Sequence, residues 1–342
     1  PVKGKTALME AAAEGHYHAA LWLLREFGAD VNAEDFESRA PLHYACKDGR
    51  PLIVSLLLRE GALVDKEEHV GQTPMIYAAA GGHPIILRLL HRFGANPAAT
   101  DADDWTPLHF AADRGHTSSV ACLLEMGAPM EAADNDKWRP LHLACDKGHF
   151  PCARLLVNAG ADVNARTADG ETPFLIAAGM NHVEILRLLA HSGADISLAD
   201  AYDWTPLHFA TDRGHTSSVA GLLEMGAPVE AADKDKRRPL HLACDKGHFP
   251  CARLLVNAGA DVNARTADGE TPFLIAAGLN HVEILRLLAH SGADTSLADA
   301  NDWSPLHFAT DRGHTSSVAC LLEMGAPMEA ADKDKRRPLH LA

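Results

Sequence analysis

Hydrophobic side chains recur along this chain in short helical patterns that repeat every 33 residues. In the copy at residues 106–133, Leu108 and Ala111 share one helical face, and Val120 and Leu123 share another. Spacings of three or four residues place apolar side chains on one side of a helix. Helices of about two turns cannot bury such a face alone. The pattern therefore predicts a stack of short helix pairs, each covering the apolar face of its neighbour.

Capping residues mark the ends of the predicted helices. Thr106 offers a hydroxyl to the first turn, and Pro107 suits the first helical position, where an N–H has no intrahelical partner. Gly115 can adopt the left-handed conformation that ends the first helix, and Gly127 ends the second. Residues 128–133 then lead into a polar, Asp-rich turn. Each copy therefore has the order turn, helix, loop, helix.

The copies form a long tandem array. They begin at Thr6, Ala40, Thr73, Thr106, Arg139, Thr172, Thr205, Arg238, Thr271 and Ser304, with a partial eleventh at Arg337. A fixed period predicts a quasi-one-dimensional stack in which each copy contacts only its neighbours. We expect a single solenoid over residues 1–342. Its predicted parts are an N-terminal capping repeat at 1–33, divergent repeats at 34–105, and near-identical blocks at 106–204, 205–303 and 304–342, the last truncated.

The repeated residues resemble the ankyrin repeat family. The resemblance rests on Thr-Pro-Leu-His at 106–109, Gly115-His116, Leu123-Leu124 and Gly-Ala-Asp-Val-Asn-Ala at 160–165, and it extends over nearly the whole chain. It implies an all-α solenoid of stacked helix-turn-helix repeats with projecting β-hairpin fingers and a concave binding face. Two kinds of departure predict locally weaker repeats. The capping Thr is replaced by Ala40, Arg139, Arg238 and Arg337, and the motif His by Met9, Ile76, Leu175 and Leu274.

Composition narrows the classes of partner. The chain has 46 acidic and 31 basic residues and a formal charge of −15, which disfavours binding to nucleic acid phosphates or anionic membranes. No apolar run approaches the roughly 20 residues of a membrane span, and residues 1–4 lack the layout of a signal peptide. We expect a cytoplasmic or nuclear protein, without membrane insertion, whose protein partners present neutral or basic surfaces.

Cysteine and histidine suggest a metal site as an alternative. Cys145, His149 and Cys152 have metal-like spacing, which recurs at 244–251. The simpler interpretation is that the seven cysteines occupy packing positions in a reducing compartment and that His149 is a motif residue. The acidic runs at 101–104 and 134–136 lack the Gly and Glu of a calcium loop and predict solvated finger tips. We expect no metal and no cofactor.

Candidate binding residues occupy positions that the stack does not need. Aromatic and Arg side chains are the usual interface anchors. The finger candidates are Trp105, Trp138, Tyr202, Trp204, Arg237 and Trp303. The concave-side candidates are Arg114, Lys147, Met180, Arg213, Lys246, Leu279 and Arg312. Trp138 is preferred because its counterparts are arginines, whereas Trp105, Trp204 and Trp303 have the alternative role of packing on the adjacent finger.

Differences between the blocks leave two interpretations open. Residues 101–199 and 200–298 differ at only eight places, several of them at predicted finger tips, including Trp138, whose counterpart is Arg237. Tuned recognition and neutral drift after duplication both produce such a pattern.

Three asparagines suggest a site of modification. Asn32, Asn164 and Asn263 resemble the ankyrin asparagines that a 2-oxoglutarate-dependent hydroxylase modifies, with hydrogen bonding inside the finger as the alternative.

The array predicts a non-catalytic protein–protein interaction scaffold or adaptor that uses its concave face and fingers, alone or within a larger complex. Any catalytic triad of His, Ser and Asp would recur in several copies, which is unlike an enzyme site. The alternative is the ankyrin portion of a larger enzyme, channel or cytoskeletal assembly protein whose activity lies beyond residue 342, because the sequence ends within a predicted first helix.

Overall fold

A computed structural model describes residues 4–341 of the chain. Over that range it contains twenty α-helices in ten pairs, a final 3₁₀ turn at Pro338–His340, and no strand. Residues 1–3 of the expected capping repeat, and Ala342 of the expected truncated block, lie outside the described residues. Two compact units are present: residues up to 173 with 191–194 form one, and residues 174–190 with 195 onward form the other.

Each pair has a shorter first helix and a longer second helix. The first helices are α1 (Ala7–Glu14), α3 (Pro41–Lys47), α5 (Pro74–Ala80), α7 (Pro107–Asp113), α9 (Pro140–Asp146), α11 (Pro173–Gly179), α13 (Pro206–Asp212), α15 (Pro239–Lys246), α17 (Pro272–Gly278) and α19 (Pro305–Asp311). The second helices are α2 (Tyr17–Arg25), α4 (Pro51–Arg59), α6 (Pro84–Arg92), α8 (Thr117–Glu125), α10 (Phe150–Asn158), α12 (Val183–His191), α14 (Thr216–Glu224), α16 (Phe249–Asn257), α18 (Val282–His290) and α20 (Thr315–Glu323).

The predicted caps start and end these helices. In α7 the Thr106 hydroxyl accepts a hydrogen bond from the His109 backbone N–H at 3.4 Å, and His109 Nδ1 accepts one from the Thr106 backbone N–H at 3.1 Å. Where Thr is replaced, the histidine half of this cap persists, as in the 3.0 Å bond from the Ala40 N–H to His43 Nδ1. Gly115 follows α7 with a φ of 71°. Replacing the capping Thr therefore lowers the stability of the helix less than the motif alone suggests.

Stacking proceeds within each unit between like helices. In the first unit α1, α3, α5, α7 and α9 pack in succession, and so do α2, α4, α6, α8 and α10. In the second unit the series are α13, α15, α17 and α19, and α14, α16, α18 and α20. Leu108, Ala111, Val120 and Leu123 are all fully buried. Each buried Leu contributes roughly 1.5–3 kcal/mol, so neighbouring repeats stabilise one another.

The loops between repeats, which we call fingers, differ from the expectation. Each was expected to be a β-hairpin, but residues 4–341 contain no strand. In the finger at 134–138, Asp134 N donates to the Trp138 carbonyl at 2.9 Å, while Asp134 Oδ1 accepts from the N–H groups of Asp136 at 3.0 Å and Trp138 at 2.7 Å. The carboxylate thus takes N–H groups that a ladder would use, and the finger closes after one backbone pair.

Consecutive fingers are nevertheless joined. Ala168 N donates to the Asp136 carbonyl at 2.8 Å, and Ala267 N donates to the Asp235 carbonyl at the same distance. Motif histidines add a second link, because His142 Nε2 lies 3.0 Å from the Ala165 carbonyl oxygen. These contacts connect successive repeats within a unit.

The cysteines lie in the core, as the packing interpretation predicts. All seven are free thiols in buried positions. Burial raises the pKa of the Cys145 thiol, and His149 Nε2 is 3.0 Å from the Asp113 carbonyl oxygen. Within residues 4–341, no three His, Cys, Asp or Glu side chains are grouped closely enough to hold a metal ion.

The first repeat has a mixed outer surface. Glu10 and Arg25 are exposed, as expected for a polar cap. Trp22 and Phe27 are also exposed, at 56% and 64%, and their rings contact each other edge-on with centroids 4.3 Å apart. None of the helices in the described part of the chain has the length and apolarity needed to cross a membrane.

Candidate partner-binding groove

The tryptophans that precede the helix caps are occupied by contacts between fingers. Trp105 is half-buried, and its indole Nε1 donates to Asp134 Oδ2 of the next finger at 2.9 Å. Trp204 donates to Asp233 Oδ2 at 3.2 Å in the same way. Both rings, like that of Trp303, also pack edge-on against the Phe five residues later. Trp105 and Trp204 thus contact the adjacent finger, which is the alternative role expected for these residues.

Three other finger candidates have different surroundings. Trp138 is half-buried, with its ring 6.0 Å from that of His142. Arg237 pairs with Asp233 at 2.9 Å and places its guanidinium over the Trp204 ring at 5.9 Å. Tyr202 is 62% exposed, and the Lys234 ammonium lies 5.5 Å from its ring centre. Tyr202 is therefore the most accessible aromatic side chain among the finger candidates.

Arginines at the ends of the first helices bridge successive repeats. Each donates from Nη1 to a carbonyl oxygen near the end of the preceding first helix. These bonds are Arg114 to Ala80 at 3.3 Å, Arg213 to Gly179 at 2.8 Å and Arg312 to Gly278 at 2.9 Å. Arg213 Nη1 also lies 3.0 Å from the sulfur of Met180, which is 38% exposed. These guanidiniums thus already form hydrogen bonds that hold successive repeats together.

Lysines occupy the same position in the intervening repeats. Lys147 forms an ion pair with Asp146 at 2.8 Å, and Lys246 forms one with Asp245 at 2.9 Å. Both lysine side chains are about half exposed, at 50% and 48%. Surface pairs of this kind contribute little to stability, so either ion pair can be broken at a small cost in free energy.

A groove in the second unit brings part of these candidates together. It has a volume of about 350 Å³ and lies along α15, α17 and α19 and the two fingers that precede α15 and α17. Its lining residues are Asp235, Arg237, His241, Leu242, Asp245, Thr266, Asp268, Glu270, Leu274, Ile275, Gly278, Leu279, Phe308 and Arg312. Arg237, Leu279 and Arg312 were sequence candidates, and the others were not.

The apolar floor of the groove depends on one glycine. Leu242 and Leu274 are buried, while Ile275, Leu279 and Phe308 remain partly exposed. A Cβ atom at Gly278 would lie only 3.3 Å from Phe308 Cβ and 3.4 Å from its Cδ1. Glycine at this position therefore lets the Phe308 ring lie against the end of α17.

Carboxylates form the rim. Asp235, Asp245, Asp268 and Glu270 face two guanidiniums, and both of these already have partners, Asp233 for Arg237 and the Gly278 carbonyl for Arg312. Burial, with the nearby charges of Asp268 and Asp299, raises the pKa of Glu270. Burial also lowers the pKa of His241 to about 4, so that its ring is neutral near pH 7. The groove is acidic at its rim.

The sequence offered a weak signal for these carboxylates. Asp245 directly precedes the candidate Lys246, and Glu270 directly precedes the capping Thr271. From the sequence alone, both residues are indistinguishable from ordinary solvent-exposed carboxylates. Asp245 lies near the end of α15 and Glu270 lies in the finger before α17, so they line one groove only because that finger packs beside the helix. The arrangement provides hydrogen-bonding, charged and apolar groups suited to non-covalent recognition.

Comparison with protein families and solved structures gives a consistent result. Models described as ankyrin repeats in three copies match residues 8–101, 81–167, 160–233 and 227–299, and a model of a single ankyrin repeat matches 301–333. The crystal structure of the human ASB11 ankyrin repeat domain is similar, with 28% sequence identity and a TM-score of 0.60. The match covers 66% of this chain and 99% of that domain. No curated protein matches the chain.

Proposed function

Because the chain belongs to the ankyrin repeat family, we propose that it is a non-catalytic scaffold or adaptor that binds partner proteins through its inner groove and finger tips. Ankyrin repeats are generally protein–protein interaction modules. The motif residues of each repeat are used for capping and stacking, so recognition falls to the residues that vary around them.

The groove of the second unit is the observation that supports this proposal best. It combines half-exposed apolar side chains, including Leu279 and Phe308, with charged groups contributed by both helices and fingers. An apolar centre inside a polar rim is the usual composition of a protein interface. Tyr202 and Trp138 extend the accessible finger surface outside the groove.

The charge of the chain supports neutral or basic partner surfaces. A formal charge of −15 disfavours nucleic acid and favours proteins of opposite charge, which it attracts over long range. The buried free cysteines support a reducing compartment, the cytoplasm or the nucleus. A protein that binds partners through such a surface can also act as one part of a larger complex.

Crosslinking mass spectrometry in native extract tests the proposal. We expect partner crosslinks at the groove and finger tips, and we expect Leu279→Glu to abolish the capture of those partners. Leu322→Glu is the matched control, because Leu322 is 42% exposed on the second helix α20. Partners that crosslink only to second helices, or that bind both variants equally, would contradict the proposal.

A further inference from the structure

We infer that the groove of the second unit recognises an extended protein segment in which a lysine or arginine lies next to a large apolar side chain, with Glu270 receiving the cation. This inference rests on the proposed function, because it names the partner chemistry of the same groove. It depends on three features of the groove: an unpaired carboxylate, an apolar floor beside it, and arginines that are already engaged.

Glu270 is the carboxylate best placed to receive a cation. It is half-buried at the groove, and within residues 4–341 it forms no ion pair. Of the other rim carboxylates, Asp245 pairs with Lys246 at 2.9 Å, Asp235 lies 3.8 Å from Arg237, and Asp268 is exposed to solvent. A half-buried carboxylate without an ion pair loses solvation, and the charge of Arg312 offsets only part of that loss for Glu270. A ligand ammonium or guanidinium would supply the missing charge and hydrogen bonds.

Asp268 and Asp299 strengthen this preference for a cation. Their charges act on Glu270 in the same direction as burial, and both raise its pKa. An anionic ligand would meet the same repulsion from the rim carboxylates. The charge of Arg312 lowers the pKa of Glu270, but burial, Asp268 and Asp299 each act more strongly in the other direction. Arg312 also donates to the Gly278 carbonyl, and Arg237 is paired with Asp233. Charge complementarity therefore favours a basic group over an acidic one.

The apolar floor of the groove determines which residue should lie next to the lysine or arginine of the bound segment. Ile275, Leu279 and Phe308 are partly exposed and line the same groove as Glu270. Covering these side chains removes apolar area from water, at about 25 cal/mol per Å². A volume of about 350 Å³ accommodates a few side chains of a segment rather than a folded surface. A basic residue with an adjacent apolar residue satisfies both parts of the groove.

Selection from a phage-displayed library of random peptides of about twelve residues tests the inference. The whole chain, E270Q and E283Q serve as baits. Glu283 is exposed on α18, so E283Q makes the same change in net charge away from the groove. We expect wild type and E283Q to enrich peptides with Lys or Arg beside Leu, Ile, Phe or Met. E270Q should lose the basic position and keep the apolar one.

Affinity measurements on a selected peptide sharpen the test. Replacing its arginine with the neutral isostere citrulline should weaken binding to wild type and E283Q by about tenfold, as expected for a charged hydrogen bond. The same replacement should change binding to E270Q by less than about twofold. We expect E270Q to unfold at the same temperature as wild type or slightly higher, because it removes a desolvated charge.

The inference is overturned by selection without enrichment of Lys or Arg, and by enrichment that E270Q retains. Selection that yields no binding peptide also overturns it. Its failure is separable from failure of the proposed function. Partners that crosslink to the groove in extract, without a basic residue at the contact, would leave the proposed function standing and end the inference.

Discussion

His241 links its own helix cap to the following finger. Its Nδ1 accepts a hydrogen bond from the Arg238 backbone N–H at 3.0 Å, and its Nε2 lies 3.0 Å from the Ala264 carbonyl oxygen. Since Nδ1 accepts, the proton belongs on Nε2, which donates to the carbonyl. The imidazole ring can therefore form both hydrogen bonds only in its neutral form.

The first prediction concerns pH. Burial lowers the pKa of His142 and His241 to about 4, whereas an unfolded histidine has a pKa of about 6.5. Between these values the unfolded chain binds protons that the folded chain does not, so stability must fall as pH falls from about 6.5 towards 4. Urea denaturation at several pH values in this window should show a decreasing midpoint.

The chain itself suggests the control for this experiment. Leu175 and Leu274 occupy the motif position in other repeats, so His142→Leu and His241→Leu are changes that the fold already contains. The double variant should depend less steeply on pH in the same window. Asp35, whose pKa is lowered to about 2 by hydrogen bonds that outweigh its burial, loses its contribution only at more acidic pH. A wild-type midpoint that stays constant from about pH 6.5 to 4.5 would contradict the prediction.

Local chemistry made the helices predictable from the sequence. Thr106 and Pro107 mark the start of α7, Gly115 follows its end, and Gly127 follows the end of α8, as the caps predict. These signals act within a few residues and do not depend on tertiary contacts. The absence of strands in the fingers, within residues 4–341, was not predicted, because it depends on Asp134 competing for N–H groups.

The groove was less predictable than the fold. Aromatic and basic residues were named as candidates from their type, and in the structure the indole N–H groups of Trp105 and Trp204 donate to carboxylates of the next finger. Asp235 and Glu270 were missed because they are one repeat apart and meet only through the packing of fingers. Periodicity reveals what every repeat shares, whereas this groove depends on residues that differ between repeats.

The second prediction compares two tryptophans. Trp105→Phe keeps an aromatic ring against Phe110 but removes the 2.9 Å hydrogen bond to Asp134 Oδ2. We expect it to lower the free energy of unfolding by about 1 kcal/mol. Trp138→Phe is the control, since its Nε1 forms no hydrogen bond with residues 4–341, and it should cost less. Equal losses in chemical denaturation would show that the indole bond contributes nothing.

The third prediction compares two buried serines. Ser218 Oγ donates to Asn181 Oδ1 at 3.0 Å, whereas Ser119 Oγ, at the same repeat position, is buried without a hydrogen-bond partner in the described part of the chain. The difference arises because Gly82 occupies the position of Asn181. Ser119→Ala should stabilise the protein or leave it unchanged, while Ser218→Ala should destabilise it by about 1 kcal/mol. Thermal or urea unfolding of the two variants measures this contrast, and destabilisation of both by the same amount would refute it.

The last prediction fills the floor of the groove. In Gly278→Ala, the new methyl group would lie 3.3 Å from Phe308 Cβ, so the Phe308 ring must move and the floor must narrow. At the equivalent Gly179, a Cβ would meet its nearest neighbours, in Arg213 and Phe209, at 3.5 Å or more, which is ordinary contact. Both changes replace glycine in a helix, which favours the folded state by up to about 1 kcal/mol. Gly278→Ala should therefore leave the unfolding temperature nearly unchanged and weaken binding of a groove-selected peptide several-fold, whereas Gly179→Ala should leave binding intact. If peptide titrations give the same affinity for both variants, the floor beside Phe308 takes no part in recognition.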